Sequence, residues 1–426
     1  MTGSKKVGIG CCKMEQMMQI GWVDFSKEDR EKVLDVMNLL QEQGAVDEIG
    51  IGLIRDAFSN YFFPGTSTVQ TRAKYFLIVP YVLQEAISGK YGSQVASVLQ
   101  KIDKEEKECG RLLYQRCVDA GESPIGIGII GARVLPKGWV ARKPSNIYWN
   151  GIRTFHIFEQ DMTIPEMIRL SIYLRGQKKN ESLGNRKDDA EEGEKDDKDA
   201  GRGEWVRFFD LPEQADERWR EHLDIALTRE EALFLRGKIE KSVSGSLLAY
   251  ILKNHIDVTK YNGFEMLYAA LKDDVPPDMA QNMKLACEFS HLVYAARVRY
   301  NHLLSKGQNR EAVSEWTQIE AKMDRYVRVN LEAVMGFLNR PDFRLRRFLK
   351  GIQETFISGD YERADEILIS REIELKSKSR AKLCHADDFS PDSWVGGRNL
   401  DYRFSDAKRI ILDIYEGEGV VHVPDK

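Results

Sequence analysis

The chain has 426 residues, of which 42% are hydrophobic and 31% are charged, and its formal net charge is −4. This length predicts two or three domains with their own cores, and the composition is that of an ordinary globular protein with a charge-rich surface. The slight negative charge excludes a protein that binds nucleic acid through bulk charge, so such binding must depend on local basic patches.

The six cysteines and seven histidines indicate neither a disulfide framework nor a metal site, because no C-x-x-C pair and no ligand spacing occurs. The longest apolar run, Tyr75–Leu83, is far shorter than the roughly 20 residues that span a bilayer. The first 18 residues do not form a signal peptide, since Lys13 and Glu15 interrupt the apolar residues. We therefore expect a cytoplasmic protein with no cofactor, no metal and no membrane association.

Helical patterns fill most of the first 177 residues. They predict helices over Ser26–Gln43, Val46–Asn60, Ser67–Ser88 (interrupted or kinked at Pro80) and Tyr91–Val118, and one capped by Thr163. Between the last two, glycine alternates with isoleucine over Ile125–Gly131, and Ile147–Trp149 is β-prone. These two stretches predict a short β element within a mainly helical domain.

A boundary is predicted at Lys178–Glu204, which contains one leucine, no aromatic residue, and seven basic against ten acidic residues. Such a segment has nothing to bury, so we expect a disordered acidic linker. From Trp205 onward helical patterns predominate, including a capping box at Thr228–Glu231. They predict helices over 246–254, 263–271, 279–304, 310–338, 343–357, 361–384 and 405–415.

The predicted fold class is therefore mainly α, with a small α+β N-terminal domain followed by an all-helical C-terminal domain. The predicted parts are a flexible N-terminus (1–19), an N-terminal domain (20–177), the linker (178–204) and a helical domain (205–426).

Two long windows of the N-terminal domain contain no acidic residue, which predicts local positive surface. The first, Ala57–Gln84, contains Arg72 and Lys74. The second, Ser123–Phe158, combines cations with aromatic residues: Arg133, Lys137, Trp139, Arg142, Lys143, Trp149 and Arg153. Cations bind phosphates and exposed rings stack on bases, so the windows predict nucleic-acid contacts; the alternative is core aromatics with a solvated rim of cations.

The first window also predicts a recognition element. Two short helices, a Pro64-Gly65 turn and a third helix starting at Ser67 resemble a helix-turn-helix, in which the start of the last helix meets base edges. Gln70 and Arg72 suit bidentate base contacts, while Ser67 and Thr68 suit phosphates or either base. One alternative is that these hydroxyls only cap the helix, and another is that the backbone N–H groups of the helix start hold a lone phosphate or nucleotide.

Three further patterns bear on function. Gly126, Gly128 and Gly131 spell G-x-G-x-x-G, but no helix follows and no acid occurs before Glu159, which argues against a dinucleotide site. A second basic cluster surrounds Phe343, and at helical spacing Arg340, Arg344 and Arg347 share one face that could follow a phosphate backbone or pair with acids. Finally, Glu372, Glu374 and Lys376 form an acid-x-acid-x-lysine run, and Asp365 lies upstream of it. This pattern suggests a metal-dependent nuclease; the alternative is a charged helix face in solvent, on which Glu372 and Lys376 pair.

From one end to the other, the chain resembles an uncharacterised bacterial family, a domain of unknown function. The resemblance lies in Asp47–Phe58, Phe63–Phe76, Ser145–Arg153, Arg371-Glu372, Arg380–Leu383, Leu400–Arg403 and Ile411–Ile414. It implies no activity and no catalytic residue, but a bacterial protein encoded near helicases and nucleases of anti-phage defence.

Three functions follow as hypotheses. The first is a non-catalytic subunit of a defence-type assembly that binds DNA or RNA. The second is a protein-interaction subunit that docks a helicase or nuclease without touching nucleic acid. The third is the metal-dependent nuclease.

Overall fold

The computed structural model describes residues 47–88, 94–185, 208–212 and 219–420, and of 178–185 the backbone alone. Residues Glu48–Lys426 form one compact unit. The preceding unit, Met1–Asp47, lies outside the described residues apart from Asp47, and with it the predicted flexible N-terminus and the predicted helix Ser26–Gln43.

The described residues form α-helices, three short 3-10 helices and no strand. The helices before residue 208 are α1 (Gly52–Phe62), α2 (Tyr75–Ser88), α3 (Val95–Asp119), α4 (Pro144–Thr154) and α5 (Ile164–Asn185). Those after it are α6 (Arg229–Ser242), α7 (Leu247–Lys253), α8 (Phe264–Leu271), α9 (Pro277–Leu304), α10 (Arg310–Glu320), α11 (Met323–Tyr326), α12 (Leu331–Met335), α13 (Phe343–Ser358), α14 (Tyr361–Lys376) and α15 (Phe404–Glu418). The 3-10 helices are Trp219–His222, Val258–Lys260 and Lys382–Asp388.

The predicted mainly helical fold is confirmed, whereas the short β element is wrong for the described residues. Ile147–Trp149 lies in α4, where Pro144 at the first position favours the helix and residues at helical spacing are buried. Gly126, Gly128 and Gly131 have φ of 101°, 96° and 84°, which a pleated strand does not allow, so Ile125–Gly131 forms turns. Among the described residues, one isolated antiparallel bridge occurs, between Phe158 and Phe209.

Capping side chains fix several helix starts that the sequence predicts. At α6 the Thr228 hydroxyl accepts from the Glu231 N–H while the Glu231 carboxylate accepts from the Thr228 N–H, which is a complete capping box. Thr163 and Glu166 form the equivalent pair at α5. Helix α5 continues to Asn185, so the first residues of the segment predicted as a linker are helical; 186–207 lie outside the description.

Other boundaries differ from the prediction. The helix predicted over Ser67–Ser88 begins at Tyr75 and runs through Pro80. The pattern over 310–338 is divided into α10, α11 and α12, and that over 361–384 ends at Lys376 because Ser377 has a φ of +69°.

A cluster of aromatic rings joins α1 to the helices of the second half of the chain. Phe58 lies 4.5 Å from Phe337, and Phe62 lies 4.8 Å from Phe264, measured between ring centroids. Tyr402 packs edge-on against Phe58 and Phe264. From Glu48 onward the residues of both predicted domains thus belong to one unit, and the boundary between the domains stays a prediction. Within the described ranges, every helix is too short or too polar to cross a membrane.

Helices α13 and α14 form a hairpin. Asp342 caps α13 by accepting from the Leu345 N–H at 2.9 Å, and Gly359 ends it with a φ of +73°, a conformation that favours glycine. Asp360 then accepts from the Arg363 N–H at 3.0 Å and begins α14. Because one glycine and one cap suffice for the connection, the two helices pack side by side.

Candidate nucleic-acid interface

The segment Ser67–Lys74 is irregular, and hydrogen bonds of Gln70 and of Tyr148 on α4 hold it in place. The Gln70 amide donates to the Gly65 carbonyl at 3.1 Å, and the Gln70 side-chain oxygen accepts from the Ser67 N–H at 3.1 Å. The Tyr148 hydroxyl accepts from the N–H groups of Thr71 and Arg72 and donates to the Arg72 carbonyl. There is consequently no helix start at Ser67 to meet base edges, and the predicted helix-turn-helix geometry is wrong.

Arg72 lies against the C-terminal helix. Its Nε is 2.9 Å from both carboxylate oxygens of Asp413, its Nη1 donates to the Ile127 carbonyl at 3.0 Å, and the same carboxylate accepts from the Ala73 N–H at 2.7 Å. Burial raises the pKa of Asp413, and the bonds from Arg72 lower it in part. The guanidinium charge is therefore matched inside the protein, and Arg72 fixes the entry to α2.

Lys74 is buried rather than presented to a ligand. Its Nζ lies 2.6 and 2.7 Å from the carboxylate oxygens of Glu231, and only 4% of the residue is exposed. Gln70 is likewise buried, Ser67 is half-buried and Thr68 is exposed. The predicted phosphate and base contacts of Lys74 and Gln70 are thus corrected to interior bonds, because both polar ends point at protein partners.

In the second window, acids outside the window pair with two of the five cations, Lys143 and Arg153. Asp103 on α3 accepts from Trp139 Nε1 at 3.1 Å and pairs with Lys143 at 3.0 Å. Arg153 pairs with Asp161. Trp149 donates to the Met162 carbonyl at 3.2 Å, and its ring packs on those of Phe158 and Phe209. Arg142 is half-buried.

Two cations of that window remain exposed. Arg133 and Lys137 have no ion-pair or hydrogen-bond partner in the part of the chain that the structure describes. They lie in the turns between α3 and α4, whereas Lys74 points to Glu231 on α6. The cations of the two windows therefore do not converge on one exposed face.

The second basic cluster has a different setting. Arg344, Arg347 and Lys350 on α13 and Arg363 on α14 line a groove of about 1140 Å³ along the hairpin. We call this the arginine groove; its remaining charged lining residues are Arg371, Glu354, Glu366 and Glu374. Arg340, predicted to share the helix face, precedes α13 and is exposed.

The acids of the groove do not match its cations one to one. Lys350 pairs with Glu354 and Arg363 with Glu366, one cation to each carboxylate. Glu374 serves three arginines: Arg371 at 2.9 Å, Arg344 at 3.6 Å and Arg347 at 3.8 Å. The two longer distances exceed those of hydrogen bonds, so the guanidinium donors of Arg344 and Arg347 are not satisfied there.

Arg371 holds Glu374 in this shared position. It is 6% exposed, and it donates to the carbonyls of Ile49 and Gly50 at 3.1 Å each. Gly50 allows this approach, since an added Cβ would lie 2.7 Å from Arg371 Nη2. Because Arg371 is anchored to the backbone and to Glu374, the side chains of Arg344 and Arg347, 76% and 81% exposed, contribute surplus positive charge.

The acids of the nuclease hypothesis are not gathered at one site. Asp365 receives two bonds of 2.6 Å from Arg299, and buried Glu372 accepts from the Tyr300 hydroxyl and the Leu383 N–H. Glu374 faces the arginine groove instead. Among the described residues, no group of three or more His, Cys, Asp or Glu side chains is placed to hold a metal ion.

Sequence reasoning missed Arg363 and Arg371 as groove residues. Arg344, Arg347 and Lys350 follow one another at three-residue steps on a helix, which is visible in the sequence. Arg363 and Arg371 join them only because the two-residue turn folds α14 back along α13, and nothing local to Arg371 indicates its bonds to residues 49 and 50.

Similarity to a known family is found for about the N-terminal third of the chain. Residues 17–165 match the model of a family of unknown function, DUF6361. No curated protein and no solved structure matches the chain. The match includes both acid-free windows and ends before the arginine groove; the resemblance predicted for residues beyond 165 stays a prediction.

Proposed function

We propose that this protein is a non-catalytic subunit that binds nucleic acid, and that the arginine groove supplies the contacts to phosphates. The observation that supports this most directly is the sharing of Glu374 by three arginines, two of which are exposed and lack close partners. Guanidinium groups bind phosphate oxygens through paired donors, and each phosphate neutralised releases a counterion.

The charge of the whole chain agrees with a local site of this kind. With a net charge of −4 the protein gains no general attraction to a polyanion, so binding must arise where cations outnumber acids. Five cations and three carboxylates line the arginine groove. In the N-terminal windows, Asp413, Glu231, Asp103 and Asp161 each pair with one cation, namely Arg72, Lys74, Lys143 and Arg153, while Arg133 and Lys137 are exposed but lie apart from these pairs in the turns between α3 and α4.

We propose that this subunit belongs to a bacterial defence-type assembly. That setting rests on the resemblance to a family encoded near helicases and nucleases, and a partner of that kind would supply the chemistry. The subunit itself would hold the nucleic acid in place.

The test is equilibrium binding of fluorescein-labelled DNA at low salt, followed by fluorescence anisotropy. Arg344→Ala/Arg347→Ala removes the surplus charge, and the loss of two solvent-exposed contacts of about 1 kcal/mol each weakens binding by about 10-fold to 100-fold. Lys241→Ala/Lys253→Ala is the matched control, because both lysines are exposed and lie on α6 and α7, which do not line the groove. Equal losses for the two double variants would refute the assignment to the groove.

A third double variant separates this surface from the predicted one. Arg133→Ala/Lys137→Ala removes the two exposed cations of the second window. We expect its affinity to stay within about 2-fold of the parent, as for a surface change away from the site. A loss larger than that of Arg344→Ala/Arg347→Ala would return the interface to the N-terminal windows.

One observation favours the protein-docking alternative. Ile357, 65% exposed, lies at the C-terminal end of α13 on its solvent-facing side, where an apolar side chain suits a protein partner. Ile357→Ser would then reduce capture of a helicase or nuclease subunit while leaving DNA affinity unchanged. Capture that is unaffected by Ile357→Ser would remove the support for docking at this helix.

A further inference from the structure

The solvent-facing side of α13 carries an aromatic ring in line with the groove cations. Phe343 is followed by Arg347 and Lys350 at steps of four and three residues, which places all three side chains on one face. At 1.5 Å per residue they span about 11 Å along the helix axis, close to three stacked nucleotides at about 3.4 Å each.

Phe343 is the most exposed large apolar side chain described, at 74% of its surface. It makes no contact with another aromatic ring of the described residues, although rings elsewhere in the chain form extensive clusters. The buried face of α13 is formed by other residues: Leu345, Phe348, Leu349, Ile352 and Phe356. The core therefore does not account for a phenylalanine at this position.

We propose that the arginine groove takes single-stranded nucleic acid, with Phe343 stacking on a base while Arg344 and Arg347 hold the adjoining phosphates. This inference rests on the proposed function and names its substrate class. A phenyl ring has no donor or acceptor, so it cannot bind a phosphate or read a hydrogen-bonding edge. Its face can stack on any base, which requires a base that is not already stacked within a duplex.

A duplex would use the same cations differently. An α-helix can enter the major groove of duplex DNA, where the arginines would contact phosphates and Phe343 could touch only a thymine methyl group. Replacing the ring by an aliphatic group would then change little. Loss of the cations would therefore weaken binding of both ligands, whereas loss of the Phe343 ring would weaken binding of the single strand alone.

The experiment compares a labelled 12-mer of thymidine with a 12-base-pair duplex, using the full chain and anisotropy at one low salt concentration. Phe343→Leu keeps an apolar side chain and removes the ring, and it should weaken binding of the single strand about 5-fold or more. Binding of the duplex should change by less than about 2-fold. Phe343→Trp, which keeps a stacking surface, should bind the single strand at least as tightly as the parent.

The outcomes separate this inference from the proposed function. If Arg344→Ala/Arg347→Ala weakens binding of both probes, the groove binds nucleic acid. If in the same experiment Phe343→Leu changes the affinity for neither probe, or for both equally, the stacking inference is overturned. If neither probe binds, or binding ignores the arginines, the proposed function itself fails. Because Phe343 is exposed, its variants should fold as the parent does, which far-ultraviolet circular dichroism and the urea midpoint verify.

Discussion

A buried carboxyl group on α3 gives the account a quantitative test that is independent of function. Glu106 is 1% exposed, and its carboxylate accepts from the Ser145 N–H at 2.6 Å and from the Ser145 hydroxyl at 3.2 Å. Burial raises the pKa of Glu106 to about 7, against the smaller lowering effects of the Ser145 bonds and Lys143; Asp103 adds a small raising effect.

The sign follows from which state binds the proton. Between the ordinary pKa of 4.5 and about 7, folded Glu106 retains a proton that the unfolded chain has lost, so stability falls as the pH rises through this window. The pKa difference corresponds to about 3 kcal/mol at 1.36 kcal/mol per pH unit. A glutamine at this position keeps the shape but cannot ionise; its oxygen accepts from the Ser145 N–H, and its amide N–H₂ donates to the Ser145 hydroxyl oxygen.

Glu106→Gln should therefore gain stability relative to the parent as the pH rises. The free energy of unfolding in urea, measured at pH 5 and pH 8, should show the difference between variant and parent growing by about 2.5 kcal/mol in favour of the variant. Glu108→Gln, on the same helix with half of its side chain exposed, is the control and should show no such growth. A difference that is the same at both pH values would refute the reasoning.

Two further predictions concern the ion pair and the cap at Glu231. Lys74→Met leaves the Glu231 carboxylate without its cation and should cost about 3 kcal/mol of stability, while DNA affinity stays within about 2-fold. Unchanged stability in urea, or a large loss of DNA affinity, would contradict the interior role of Lys74. Thr228→Ala removes the hydroxyl that caps α6 and should cost about 1 kcal/mol in the same assay, and a neutral result would mean that the cap is replaced by water.

The helical part of the fold was predictable because its signals are local. Apolar residues recur at helical spacing in most helices, and Thr163 and Thr228 each stand three residues before a glutamate that completes the cap. The failures arise where tertiary contacts decide. Residues 147–149 have β propensity, but Tyr148 is buried in α4 and bonds to the segment before α2.

The candidate site shows the limit of reading charge along the chain. Neither acid-free window contains an acid, but the fold brings acids from distant parts of the chain to the first of them. Asp413 pairs with Arg72 across 341 positions, and Glu231 pairs with Lys74 across 157 positions. No local sequence pattern predicts those pairs. At Arg344 and Arg347 the sequence pattern agrees with the structure, because both cations lie on the exposed face of one helix and, among the described residues, Glu374 is the only acid that approaches them.

The salt dependence of single-strand binding tests the central claim most directly. The logarithm of the association constant should fall linearly with the logarithm of the salt concentration, by about 0.7 for each phosphate neutralised. If Arg344 and Arg347 each hold a phosphate, the slope for Arg344→Ala/Arg347→Ala should be smaller than that of the parent by about 1.4. A slope that is identical in the parent and the double variant would show that the arginine groove does not bind the phosphate backbone.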